Sequence, residues 1–155
     1  MRKIWSYVLI GCMCLLLAGC GTEYEDTNGA EDFSLQTITD ENIINLDLGA
    51  SGVAYTEEDL GGLIQSSEYS SKKYNGVERI FLTNYLGASD MEVYIGHMNV
   101  KSGNFRMVLI NNDEIIYEFP LDAFAESFYF EDLKGAVSIH IAGENAAFEF
   151  YIDVR

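Results

Sequence analysis

From Ile80 to Val154 the chain repeats one pattern, apolar residues at every second position in short runs separated by polar or glycine-containing turns. Ile80 and Leu82, then Met91, Val93 and Ile95, then Phe105, Met107 and Leu109 each alternate with other residues, and so do Ile115, Tyr117 and Phe119. Phe128 and Phe130, Val137, Ile139 and Ile141, and Phe148, Phe150, Ile152 and Val154 continue the series. A period of two turns one face of a strand toward a core and the other away from it, which a helix of about 3.6 residues per turn cannot do. With Ile44, Leu46 and Leu48 upstream, eight strands are expected, spaced roughly 10 residues apart as in antiparallel sandwiches. The predicted class is all-β, an antiparallel β-sandwich of jelly-roll or immunoglobulin-like type. Asn111-Asn112-Asp113 reads as the turn of a hairpin. The phase slips at Gly96-His97, where Met98 and Val100 take over from Ile95, and this predicts a bulge or kink.

Two segments depart from the pattern. Thr56-Glu57-Glu58-Asp59 has the form of a capping box, in which a hydroxyl and a nearby acid satisfy the free N–H groups of a first helical turn. It predicts one short helical segment near residues 57–65, limited by Gly61-Gly62 because each glycine weakens a helix by about 1 kcal/mol. Ser66 to Asn75, rich in Ser-Ser, Lys-Lys and Asn-Gly, reads as a mobile loop.

The first nineteen residues belong to another physical class. Arg2 and Lys3 are the only positive charges before Lys72, and they precede an apolar run from Ile4 to Leu17 interrupted by Ser6 and Gly11. That run is too short for a permanent helical span, which needs about 20 residues to cross roughly 30 Å of hydrocarbon. It has the make-up of a signal segment. The run ends Leu17-Ala18-Gly19-Cys20, which resembles the lipobox of bacterial lipoprotein precursors. The resemblance implies a lipid thioether on Cys20, cleavage before it, and attachment to the extracytoplasmic face of the cell membrane. Small Ala18 and Gly19 give a protease access to the backbone, and the Cys20 thiol is the nucleophile that takes the lipid. Two or more acyl chains, at about 0.8 kcal/mol per buried methylene, hold stably where a single chain is marginal.

On this reading residues 20–155 keep all 25 acidic residues and seven of the nine basic ones, a net charge of −18. So acidic a surface lacks the positive footprint that nucleic acid or anionic lipid headgroups need. Cys12 and Cys14 fall in the signal, so Cys20 is the only remaining cysteine and a hydrophobic core must hold the fold without internal disulfides. Chains near this size can build such a core, burying roughly 70% of their unfolded surface. Gly21 to Glu41 is too acidic and polar to collapse and reads as a tether. The chain therefore divides into a signal peptide (1–19), a lipidated cysteine with an acidic tether (20–41), and a β-sandwich domain (42–155).

Three stretches carry a second resemblance: Val100-Lys101-Ser102-Gly103-Asn104-Phe105, Val108-Leu109-Ile110, and Ile141-Ala142-Gly143-Glu144-Asn145-Ala146-Ala147-Phe148. From Asn75-Gly76 onward the chain resembles small sandwich domains found on Gram-positive lipoproteins. Ala147 stands where those domains carry a glycine, and the resemblance assigns a role to no particular residue.

Chemistry is sparse in the chain. His97 and His140 read as surface or edge residues, and their spacing brings no third metal ligand to them. No G-x-S-x-G, phosphate-binding loop or H-E-x-x-H motif is present, and no cofactor is called for. The adjacent acids Glu57-Glu58-Asp59, Asp113-Glu114 and Glu131-Asp132 read as solvated. Tyrosine is more informative: Tyr94, Tyr129 and Tyr151 fall on the outward phase of strands, and Phe81 and Tyr85 share a face. Outward aromatics on a sheet form a platform for a sugar ring or an extended peptide. The expected function is a non-enzymatic binding module on a membrane anchor, contacting an envelope protein or glycan through these tyrosines. Two alternatives stand beside it, an envelope hydrolase using paired carboxylates and a passive spacer. Replacing Cys20→Ala is expected to move the protein from the membrane fraction to the medium or to misplace it; an unchanged membrane fraction would rule the anchor out.

Overall fold

A computed structural model describes residues 35–52, 54–59 and 65–155. The signal peptide, Cys20, the tether up to residue 34 and Gly61-Gly62 lie outside them. The described residues are mostly β-strand with little helix, as the period of two predicts. The elements are α1 (Asp40–Asn45), β1 (Ala54–Asp59), β2 (Gln65–Asn111), β3 (Glu114–Glu118) and β4 (Phe124–Val154), with all strand pairs antiparallel.

β2 is 47 residues long, and at about 3.3 Å per residue it cannot run straight through a domain of this size. It bends at breaks in register and returns, so each inner stretch of β4 lies between two stretches of β2. Ile152 of β4 faces both Ser67 and Ile95, and Ile139 faces both Phe81 and Leu109. Two ladders follow from this pairing. The first runs 54–59, 65–71, 148–154, 91–100 and 124–130; the second runs 75–85, 135–144, 104–111 and 114–118.

The inward positions of both ladders meet in one cluster, including Met91, Val93, Ile95, Phe105, Met107, Leu109, Val137, Ile139, Ile141, Phe148, Phe150, Ile152 and Val154. Each such side chain taken out of water contributes about 1.5–3 kcal/mol. Aromatic rings tie the ladders together: Phe105 lies 4.5 Å from Phe148, and Tyr117 lies 5.6 Å from Phe128 and 5.3 Å from Phe130. The Asn111-Asn112-Asp113 hairpin is present, with Asn112 and Asp113 at φ 48° and 64°, the left-handed pair that a two-residue hairpin turn requires. The slip at Gly96 is present too, as a break in register between Ile95 and His97.

Three expectations give way. Residues 54–59 are not the start of a helix but strand β1, whose backbone pairs with 65–70. The capping box of the chain is upstream, where Thr39 accepts from the Asn42 N–H and the Asn42 side chain accepts from the Thr39 N–H. That box opens α1, so Ile44 and Leu46 are not strand residues, and Leu46 closes the helix at φ 56°. Ser66 to Asn75 is no loop: Ser66, Ser67, Tyr69 and Tyr74 are buried within β2. Tyr69 stacks on Phe150 at 4.9 Å and Tyr74 meets Phe148 at 5.6 Å. Two aromatic anchors outweigh the polar residues around them, and small serines pack without obstruction.

The outer face of the second ladder is also covered. Residues 35–48, partly assigned above to a flexible tether, form a strap that seats Ile38 and Ile43 on Val77, Val108, Ile110 and Ala142. This explains why 107–110 is buried at four successive positions, which a sheet with one solvated face does not allow. His140 lies under the strap, 3% exposed rather than at the surface. Its Nδ1 sits 2.7 Å from the Ile43 carbonyl; a carbonyl only accepts, so Nδ1 carries the proton. Burial favours the neutral ring and lowers its pKa, the Ile43 bond works the other way, and Arg79 lowers it further.

Two side chains clip the strap down. Arg106 reaches Asp40 at 2.6 Å and Glu118 at 2.8 Å. Glu144 accepts from the Gln36, Thr37 and Ile38 N–H groups and the Thr37 hydroxyl, at 2.6–2.9 Å. Desolvation alone would raise the Glu144 pKa, but these donors prevail and bring it from 4.5 to about 2. A carboxylate depressed in the folded state adds stability above its unfolded pKa and loses it as pH falls through the folded one. Glu144→Gln is therefore expected to lower Tm at neutral pH, with the gap to the parent narrowing between pH 4.5 and about 2. A gap of constant size across that range, followed by circular dichroism, would show that the clip does not depend on charge.

Candidate functional site

The outward face of the first ladder gathers the side chains that the alternation leaves out of the core. Three rows cross it. In one, Phe124, His97, Tyr151 and Glu68 are register partners; in the next, Ser127, Tyr94, Asp153 and Ser66. In the third, Glu92 lies opposite Tyr129 and exchanges two 2.9 Å backbone hydrogen bonds with Arg155. Tyr94, Tyr129 and Tyr151, far apart in sequence, thus occupy three adjacent strand segments of one face. Phe81 and Tyr85 do not join them, since both pack against the core.

Gly96 is the floor between two of the tyrosines. A Cβ at this position would lie 2.8 Å from Cδ1 of Tyr151 and 3.5 Å from Cε1 of Tyr94, so both rings close over the bare backbone. The bulge explains the convergence: one extra residue re-aims the strand and brings His97 and Tyr151 level. Tyr94 and Tyr151 are half-buried, while Tyr129 is 72% exposed and Phe124 78% exposed. Phe124 also borders an open groove of about 530 Å³ lined by Met98, Asn99, Val100, Leu121 and Asp122.

The polar groups beside the tyrosines are linked. Oε1 of Glu92 accepts from the Ser127 hydroxyl at 2.7 Å and from the Tyr129 hydroxyl at 3.2 Å. Arg155 donates to Oδ2 of Asp153 at 2.5 Å and approaches Oε2 of Glu92 at 4.0 Å. Asp153 is 5% exposed, and its Oδ1 has no hydrogen-bond partner among the described residues. Glu92, Asp153, Arg155 and Phe124 escaped sequence reasoning. Their outward phase was readable, but the pairing of residue 92 with 155 spans most of the domain and leaves no local trace.

The other candidates do not assemble. His97 is on the tyrosine face, whereas His140 is under the strap on the second ladder. Asp113 is in the hairpin turn, and the Asp132 N–H donates to Asp90. Among the described residues no group of three or more His, Cys, Asp or Glu side chains is placed to hold a metal ion.

No protein-family model matches the chain, and no curated protein matches it in sequence. Among solved structures it is similar to a cupin superfamily protein from Desulfitobacterium hafniense, at 15% identity and a TM-score of 0.32 over 65% of this chain and 74% of that one. It is similar to KdgF from Halomonas sp., at 10% identity and a TM-score of 0.34 over 66% and 76%. A family 35 carbohydrate binding module from Clostridium thermocellum matches at 10% identity and a TM-score of 0.35 over 70% and 91%. Likenesses of this degree assign neither a family nor a ligand to the chain.

Proposed function

We propose that this chain is a lipid-anchored, non-enzymatic binding module of the bacterial envelope, held at Cys20 on the extracytoplasmic face of the membrane. Its domain is read as an antiparallel β-sandwich of about eight strands, and its tyrosine face as the surface that takes an envelope saccharide. The observation that carries this reading is the convergence of the Tyr94 and Tyr151 rings over Gly96, with Tyr129 and the Glu92 carboxylate alongside. Sugar rings present C–H faces that stack on aromatic side chains and hydroxyls that bond to carboxylates. A wide sheet face with both kinds of group suits such a ligand better than a compact substrate that must be enclosed.

Binding of glycan strands from digested bacterial cell wall, and of an N-acetylglucosamine hexamer, is expected to weaken when Tyr94 and Tyr151 are both replaced by Ala. The expected loss is about tenfold or more, since aromatic stacking contributes roughly 0.5–1.5 kcal/mol per ring beyond its buried area. Leu82→Ala, exposed on the second ladder, serves as the control. Unchanged saccharide binding by a folded double variant would overturn the platform. Capture of an envelope protein in place of any saccharide would move the reading to a protein partner.

A further inference from the structure

Resting on that reading, we infer that the tyrosine face selects a saccharide bearing free amino groups, with Glu92 as the carboxylate that receives the ammonium and the buried Asp153 as the second negative charge beside it. The two acids are on neighbouring strand segments, Glu92 opposite Arg155 and Asp153 opposite Tyr94, and one guanidinium serves both. It is committed to Oδ2 of Asp153 and stands 4.0 Å from Oε2 of Glu92. Oε1 of Glu92 is held by Ser127 and Tyr129, which leaves Oε2 short of a close donor. Oδ1 of Asp153 is buried and has no partner among the described residues. Two carboxylates therefore share one cation, with an oxygen of each lacking a close donor among the described residues, on the face that carries the three tyrosines.

A further positive group completes this arrangement. An ammonium supplies three N–H donors and no acceptor, and it is attracted to the face of a tyrosine ring as well as to a carboxylate. The rest of the face does not supply that charge. Lys101 is paired with Glu149 at 2.7 Å, while Glu68 adds another acid on the Tyr151 row. An anionic polymer would be repelled, and a neutral sugar, whose hydroxyls can donate to a carboxylate oxygen, brings no charge to balance the second acid.

The test uses the full-length protein in detergent and two hexamers that differ only in acetylation, N-acetylglucosamine and glucosamine. The glucosamine hexamer is expected to bind about tenfold or more tightly at low salt, a difference near 1.4 kcal/mol, with the advantage shrinking at high salt as charge pairing is screened. Glu92→Gln should collapse the difference between the hexamers, and Asp153→Asn gives a second test should the first variant fold poorly. Equal binding of the two hexamers overturns the amine preference and leaves the saccharide reading standing. Binding of neither overturns both. A preference that survives in both variants overturns the assignment to these carboxylates.

Discussion

The position of β4 inside both ladders is the constraint on which the rest of the domain depends. Its residues 148–154 have β2 on each side, and so do residues 135–144. A strand paired on both edges has no free backbone groups, and its inward side chains meet neighbours from every direction. Phe148 shows the consequence, with Phe105, Tyr74 and Phe150 all within 5.6 Å of it. Because two stretches of β2 are fixed against each of these β4 stretches, breaks in register such as the one at Gly96 are held in place. That fixed bulge is what sets Tyr94 and Tyr151 side by side.

The two ladders are finished differently on their outer faces, and charge and burial explain the difference. The second carries Val77, Val108, Ile110 and Ala142 outward, an apolar stripe that water would penalise, and the strap covers it. The strap has little helix of its own, a single six-residue turn, too short to stand alone. It is held from outside by Glu144, Arg106 and the His140–Ile43 contact. The first ladder carries Tyr94, Tyr129, Tyr151, Glu92 and Arg155 outward, groups that tolerate water, while Asp153 and Ser66 in the row between them are buried. Among the described residues one outer face is sealed by the strap, and no comparable segment lies over the other.

Much of this architecture was legible in the sequence because alternation reports local geometry. Most residues named inward by their phase face the core, but Leu82 is exposed and Ile115 packs under the strap, because breaks in register near Ile80 and Ile110 turn them to the other face; the hairpin at Asn112-Asp113 followed from turn chemistry. The errors came where a local signal was outweighed by distant partners. Ser66 to Asn75 is polar by composition, but Tyr69 and Tyr74 reach the Phe148–Phe150 rings and make it strand. Thr56 to Asp59 matched a capping box, but the edge of β2 offered its backbone a ladder, and Thr39 with Asn42 formed a box that the Ile44-Leu46-Leu48 alternation masked. Of the candidate site, phase alone placed the three tyrosines on outward positions. Their assembly on one face, and the joining of Glu92 to Arg155, depend on pairings across the whole domain that no short window of sequence contains.

The strap also bears on how an anchored domain would present its open face. The chain enters over the outer surface of the second ladder and is clipped there by Glu144 from Gln36 onward, whereas the tyrosines belong to the outward face of the first. A pull at residue 35 would therefore act on the side of the fold away from the tyrosines, on residues held by Glu144, Arg106 and the Ile38 and Ile43 contacts. Because those clips gather several donors on one carboxylate and two carboxylates on one guanidinium, the strap resists peeling as a unit rather than residue by residue. The described chain thus enters on the outer face of one ladder, and the three tyrosines stand on the outer face of the other.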